Sequence, residues 1–238
     1  MLGDEHPSTL TSMANLASTY WNQGRWKEAE ELEVQVMQTR KRVLGDEHLS
    51  TLISMANLAA TYWNQGRQNE AEELEVQVMQ TRKRVLGDEH PSTLSSMANL
   101  ASTYSNQGRW KEAEELEVQV MQMSKRVLGN DHPDTLASIV NLALTYSNQG
   151  RWDEAEELQV QVMKMRERVL GNEHPDTLTS MHNLAYTLQS QSRYKEALAL
   201  MGTCFRSRQQ VLGEQHPATQ SSLDTLIGWR AECSDIIS

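Results

Sequence analysis

Cysteine is nearly absent from the 238 residues: Cys204 and Cys233 stand near the C-terminus without CxxC spacing. That excludes a disulfide framework or a cysteine-rich zinc site and fits a reducing compartment, so both are expected to be free structural thiols. Positive charge is also short. Lys and Arg number 22 against 32 Asp and Glu, a net charge of -10, which repels polyanions and acidic membrane leaflets and excludes nucleic acid as a partner. No apolar run reaches the roughly 18 residues of a membrane span, and the N-terminus lacks the apolar core of a signal peptide. A soluble cytoplasmic protein, off the membrane, is expected. GxGxxG, GxxxxGK[ST] and GxSxG are all missing, and the acidic run Glu28-Ala29-Glu30-Glu31 suits a solvated helix start better than a pair of catalytic carboxylates. Neither catalysis nor a bound cofactor is expected.

What the chain has is repetition. Leu2-Gly3-Asp4-Glu5-His6 returns as Leu44-Gly45-Asp46-Glu47-His48, then at Leu86, Leu128, Leu170 and Leu212, every 42 residues. A period between 20 and 50 residues signals an array of stacked units rather than one central core. The units run 6–47, 48–89, 90–131, 132–173 and 174–215, with a remnant over 1–5 and a closing helix over 216–238. The opening Met1-Leu2-Gly3-Asp4 matches the tail of a unit, so the natural array is expected to begin earlier.

Within the first unit, Leu10, Met13, Ala17 and Tyr20, with Leu16 beside them, recur at helical spacing. Pro7 suits a first helical turn and Gly24 a left-handed stop, which predicts helix A over about 7–22. Ala29, Leu32, Val36 and Val43, flanked by Met37 and Leu44, mark the buried side of helix B. Its early acids Glu28, Glu30 and Glu31 and late bases Arg40, Lys41 and Arg42 complement the helix dipole, and Gly45 ends it. Units one and two differ at only five of 42 positions, Pro7/Leu49, Thr11/Ile53, Ser18/Ala60, Trp26/Gln68 and Lys27/Asn69, so successive interfaces should be nearly the same. Unit five diverges, with Ser192 at the Gly24 position and Leu188 at the Tyr20 position, as a capping unit would. Six of the seven histidines recur once per unit. Stacked helix pairs place such copies about 16–20 Å apart, too far to share a metal ion, so these residues are expected to mark helix boundaries and no metal is expected. His182, at the Ala14 position, is expected on the groove or the surface.

The order Leu16-Ala17, Tyr20, Gly24, Trp26, Ala29 resembles the tetratricopeptide (TPR) pattern, and the 42-residue period with its His-Pro-Ser/Asp-Thr boundary resembles the kinesin-light-chain type. The resemblance covers essentially the whole chain. It implies an all-α fold, a right-handed α-solenoid or TPR-like superhelix of antiparallel helix pairs, five repeats plus a C-terminal capping helix. Glu33, Glu75 and Glu117 depart from it by standing where the family commonly has an aromatic residue. Trp26, Trp110, Trp152 and Tyr194 occupy a family packing position.

The resemblance also implies that helix A lines a concave groove. Asn15, Asn57, Asn99, Asn141 and Asn183 form one row, and Asn22, Asn64, Asn106 and Asn148 a second, seven residues on and on the same face. Between them the residues vary: Thr11, Ile53, Ser95, Ala137 and Thr179, then Ser18, Ala60, Ser102, Leu144 and Tyr186. Asparagine amides can hold an extended peptide backbone while variable neighbours select side chains, as in the asparagine ladder of some TPR grooves. The same amides could instead satisfy helix-to-helix hydrogen bonds. Trp21 and Trp63 are placed at the groove mouth, where aromatics anchor ligands. Helix A carries no Lys, Arg, Asp or Glu over 7–24, 49–66 or 91–108, which argues against a basic clamp for a terminal carboxylate. The expected function is non-catalytic binding of a protein or peptide. The alternative is a structural module, excised from a larger multidomain signalling protein, that self-associates through exposed repeat ends.

Overall fold

The structure is a computed structural model that describes Gly3 and residues 5–237, with side chains to residue 232. The Cys233 thiol and most of the 1–5 remnant lie outside the described residues. Eleven helices and no strand occur among the described residues: α1 (Pro7–Asn22), α2 (Trp26–Leu44), α3 (Leu49–Asn64), α4 (Gln68–Leu86), α5 (Pro91–Asn106), α6 (Trp110–Val127), α7 (Pro133–Asn148), α8 (Trp152–Leu170), α9 (Pro175–Ser190), α10 (Tyr194–Leu212) and α11 (Pro217–Ile237). Odd numbers through α11 are A helices and even numbers are B helices. The fold is an all-α solenoid. The chain divides into two compact units, Met1–Leu116 and Glu117–Ser238. In the first, α1 to α5 pack consecutively, and in the second α7 to α11 do the same.

Each A helix opens on a histidine. The imidazole Nδ1 of His6 accepts the backbone N–H of Ser8 at 3.1 Å, and His48, His90, His132, His174 and His216 repeat the bond to Ser50, Ser92, Asp134, Asp176 and Ala218. A ring nitrogen thus fills the N-cap role usually taken by a side-chain oxygen. Proline follows at the first helical position in every A helix except α3, which opens on Leu49. At the far end Gly24 adopts φ 72°. Its N–H reaches Trp21 O and that of Arg25 reaches Tyr20 O at 2.9 Å, the paired bonds of a Schellman stop. The Arg25 guanidinium then lies 4.1 Å from the Tyr20 ring centroid and binds Glu28.

In the first unit Ala59 and Ala71 are fully buried, and Leu52, Met55 and Val78 form one cluster. In the second, Leu184, Ala185, Leu188, Ala197, Met201, Leu226 and Trp229 form one cluster under α11. Two expectations for helix B are corrected here. Val43 and Leu44 are 47% and 41% exposed, because they fall at the last turn of α2 and are not enclosed there. Arg40 serves more than the dipole: its Nη1 donates to Ser50 O and Ser54 Oγ of the next A helix, at 3.1 and 2.8 Å. Arg82, Arg166 and Arg208 make the same fastening to Ser92 and Ser96, Asp176 and Ser180, and Ala218 and Ser222. Repeat three carries a buried Ser124 at that position.

Candidate functional site

In the first unit, Thr11, Ile53 and Ser95, Asn15, Asn57 and Asn99, Ser18, Ala60 and Ser102, and Asn22 and Asn106 lie on one face of α1, α3 and α5, exposed or half-buried, with Asn64 half-buried beside them. They reach solvent because the opposite face, Leu10 of α1 and Leu52 and Ala59 of α3, faces the packed interior. The outer row is partly spent on its own helix, since Asn22 and Asn64 donate from Nδ2 to Ser18 O and Ala60 O at 2.8 Å. The inner row differs. Among the described residues the side chains of Asn15, Asn57 and Asn99 make no hydrogen bond, whether to a neighbouring helix or to their own.

In the second unit Ala137, Thr179, Leu144 and Tyr186 are exposed on the A helices, and Asn141, Asn148 and Asn183 belong to the same helices. Leu144 and Tyr186 are large side chains left 43% exposed each. Tyr186 is held in place. Its hydroxyl meets Thr225 Oγ1 at 2.9 Å, its ring stands edge-on to Trp229 at 5.1 Å, and His182 tilts against it at 5.0 Å. Burial, helped by the Arg208 guanidinium 3.3 Å from Nδ1, pushes the His182 pKa down to about 4. It is therefore a neutral positioning ring behind Tyr186.

Trp21 and Trp63 are half-buried, and the indole N–H of Trp21 is enclosed without an acceptor. Trp26 and Trp110, placed by the family pattern in packing positions, are 37% and 39% exposed. Trp26 borders an open depression of about 760 Å³ with Lys27, Glu28, Glu30, Gln65 and Arg67. Its arginine and glutamates are already paired. Arg67 binds Glu30 at 2.7 Å and also Glu70, and Gln65 donates to Glu30 at 2.8 Å. Other joints are tied the same way, with Arg109 on Glu72 and Arg193 on Glu156.

Other polar residues escaped the sequence argument. Glu33 is only 6% exposed, a buried acid on a helix face where apolar spacing was the sole guide. The one available signal was its departure from an aromatic family position. Cys204 is buried and free, its thiol donating to Leu178 O at 3.1 Å. Among the described residues no three His, Cys, Asp or Glu side chains gather as a metal site, and no helix is long and apolar enough to cross a membrane.

A tetratricopeptide repeat family model matches residues 8–83 and 134–210, and a second tetratricopeptide model matches 93–134. A structure of nearly identical TPR-like repeats from a Podosopora anserina protein described as a kinesin light chain superposes with TM-score 0.78 at 38% identity, over 87% of this chain and 98% of that one. A singly substituted form of the same repeats gives TM-score 0.79 at 36% identity, over 88% and 98%. BtubC (BKLC) from P. vanneervenii gives TM-score 0.76 at 18% identity, over 88% and 83%, a likeness of fold alone. Curated protein sequences give no match. Two helices per 42-residue period, glycine stops after the A helices and matches along almost the whole length leave one assignment: the chain belongs to the tetratricopeptide repeat family, as an array of the kinesin-light-chain type.

Proposed function

We propose that the chain is a non-catalytic interaction scaffold whose A-helix face holds an extended, uncharged segment of a protein partner. The observation that carries this is the inner asparagine row: Asn15, Asn57 and Asn99 recur at equal spacing along the chain, reach solvent, and have side-chain amides without hydrogen bonds among the described residues. A primary amide offers two donors and an acceptor, which matches the alternating groups of a peptide backbone whatever its side chains. The neighbours that vary, such as Ile53 against Ser95 and Leu144 against Ala60, then supply side-chain selection. Exposed aliphatic and aromatic groups at Ile53, Leu144 and Tyr186 favour apolar side chains in the partner. Charged partners gain nothing from α1, α3 and α5, which carry no ionised side chain.

The test uses peptides selected from a display library on the whole chain. Asn57→Ala/Asn99→Ala is expected to weaken the selected peptides about tenfold or more, corresponding to one or two lost hydrogen bonds, with thermal stability unchanged. A large stability loss with unchanged affinity sinks the ladder. Binding that survives the double variant but is lost with changes beside Trp26 moves the site to the turns.

A further inference from the structure

The Glu33 position of the repeat is occupied in turn by Glu33, Glu75, Glu117, Gln159 and Met201. All lie on B helices; Glu33, Glu117, Gln159 and Met201 are 0–6% exposed and Glu75 is half-buried. Across the joint, the next A helix presents a threonine: Thr61 meets Glu33, and Thr103 meets Glu75. The same register gives Thr145 and Thr187 in the second unit, and at the last joint Trp229, which packs with Met201 in one apolar cluster. The pairing is thus acid with alcohol, then amide with alcohol, then thioether with indole. Ionised residues occur at none of the facing positions.

A carboxylate in this place is poorly served. The Oε2 atoms of Glu33 and Glu75 are sealed from solvent and have no hydrogen-bond partner, and an ionised oxygen in that condition is costly. Helices α1, α3 and α5, packed against α2 and α4, carry no Lys, Arg, Asp or Glu. The nearby charges on the B helices are committed elsewhere. Glu30 is taken by Arg67 and Gln65, and Glu72 by Arg109 and Gln107. Arg40 and Arg82 are fastened to serines of the next A helix. Behind Glu75 a cavity of about 10 Å³, bordered also by Ser96, Asn99 and Arg82, whose Nε is sealed without an acceptor, leaves room for about one water.

We propose that the joints between successive repeats are proton-linked at this position: each closes over a neutral Glu33- or Glu75-type carboxyl, and ionisation of that carboxyl loosens it. Burial raises the carboxyl above its ordinary range, the threonine across the joint opposing it and the Glu30 or Glu72 carboxylate one helical turn away adding to it. A raised folded-state value means that the stability is present below the unfolded value and is lost as pH rises through the folded one. Gln159 and Met201 are then joints without the linkage. This does not depend on what the A-helix face binds.

The experiment compares thermal unfolding of the whole chain with that of Glu33→Gln/Glu75→Gln from pH 5 to 8. Histidine caps and surface ion pairs are common to both chains, so the difference between the two curves isolates the two carboxyls. The curves are expected to converge near pH 5 and to separate by several degrees at pH 8, with the amide chain the more stable. Parallel curves, or an amide chain less stable at every pH, overturn the proposal. Carbon-13 titration of the side-chain carboxyls of the unaltered chain reads the same linkage without a substitution. Glu33 and Glu75 are expected to titrate above the ordinary carboxylate range, and titration within that range refutes it.

Discussion

Ser192 is where one residue carries a visible strain. It occupies the left-handed stop at φ 62° that Gly24, Gly66, Gly108 and Gly150 take in the other repeats at 72–78°. An L-residue in that region costs about 1–2 kcal/mol, which glycine avoids while losing more backbone entropy on folding. Ser192→Gly is therefore expected to stabilise by about 1 kcal/mol and to raise the melting temperature by about 2–4 °C. Differential scanning calorimetry decides it, and an unchanged or lower midpoint would mean that the serine is not strained. The carboxylates on the surface behave in the opposite way to the buried ones. Glu70, Glu112 and Glu154, each hydrogen-bonded to an arginine three residues earlier, are held below the usual carboxylate range. As exposed pairs they contribute little to stability.

The A helix is a capped element whose cap is a heteroaromatic ring. Because neutral imidazole has one acceptor nitrogen and imidazolium none, the bond from Ser92 N–H to His90 Nδ1 requires the neutral ring. His90→Ala is expected to cost about 1 kcal/mol, the usual worth of an N-cap, and His90→Asn to retain most of it. Urea unfolding of the three chains checks this, and equal losses for both variants would show that the ring acts by packing rather than by capping. Helix limits were legible in the sequence, since Pro7 and Gly24 bracket α1 by steric rules that hold whatever the surroundings. The histidine was legible as a boundary mark but not as an acceptor, because N-cap signatures are written for oxygen side chains. The burial of Glu33 and the exposure of Val43 were not legible for a shared reason. Helical periodicity sorts apolar from polar, whereas burial depends on what a neighbouring helix happens to reach. On the A-helix face, spacing alone grouped Asn15, Asn57 and Asn99. The half-burial of Trp21 and Trp63 was not legible, because an indole can lean toward either side of a helix.

At the scale of the whole molecule, identical residues differ only by their place in the array. Leu16 is 44% exposed in α1, whereas its counterparts Leu58 and Leu100 are 1% exposed, and Leu184 and Leu226 are 4%. Leu58→Ala is expected to cost about 2–5 kcal/mol and Leu16→Ala less than about 1, although the local sequences match. Chemical denaturation of the two variants measures the contrast, and equal costs would show that burial at the joint contributes little. The bonds that fasten the joints recur at fixed separations along the chain: 37 residues for Arg67 to Glu30, Arg109 to Glu72 and Arg193 to Glu156, and 14 for Arg40 to Ser54, Arg82 to Ser96 and Arg166 to Ser180. Loop-closure entropy depends on the separation that is closed, not on the total length. Each of these joints therefore closes against the same entropic barrier, and lengthening the array by further repeats adds more steps of that kind without adding a harder one. Relative contact order falls as repeats are added, so a longer chain of this type is expected to begin folding no more slowly than a short one.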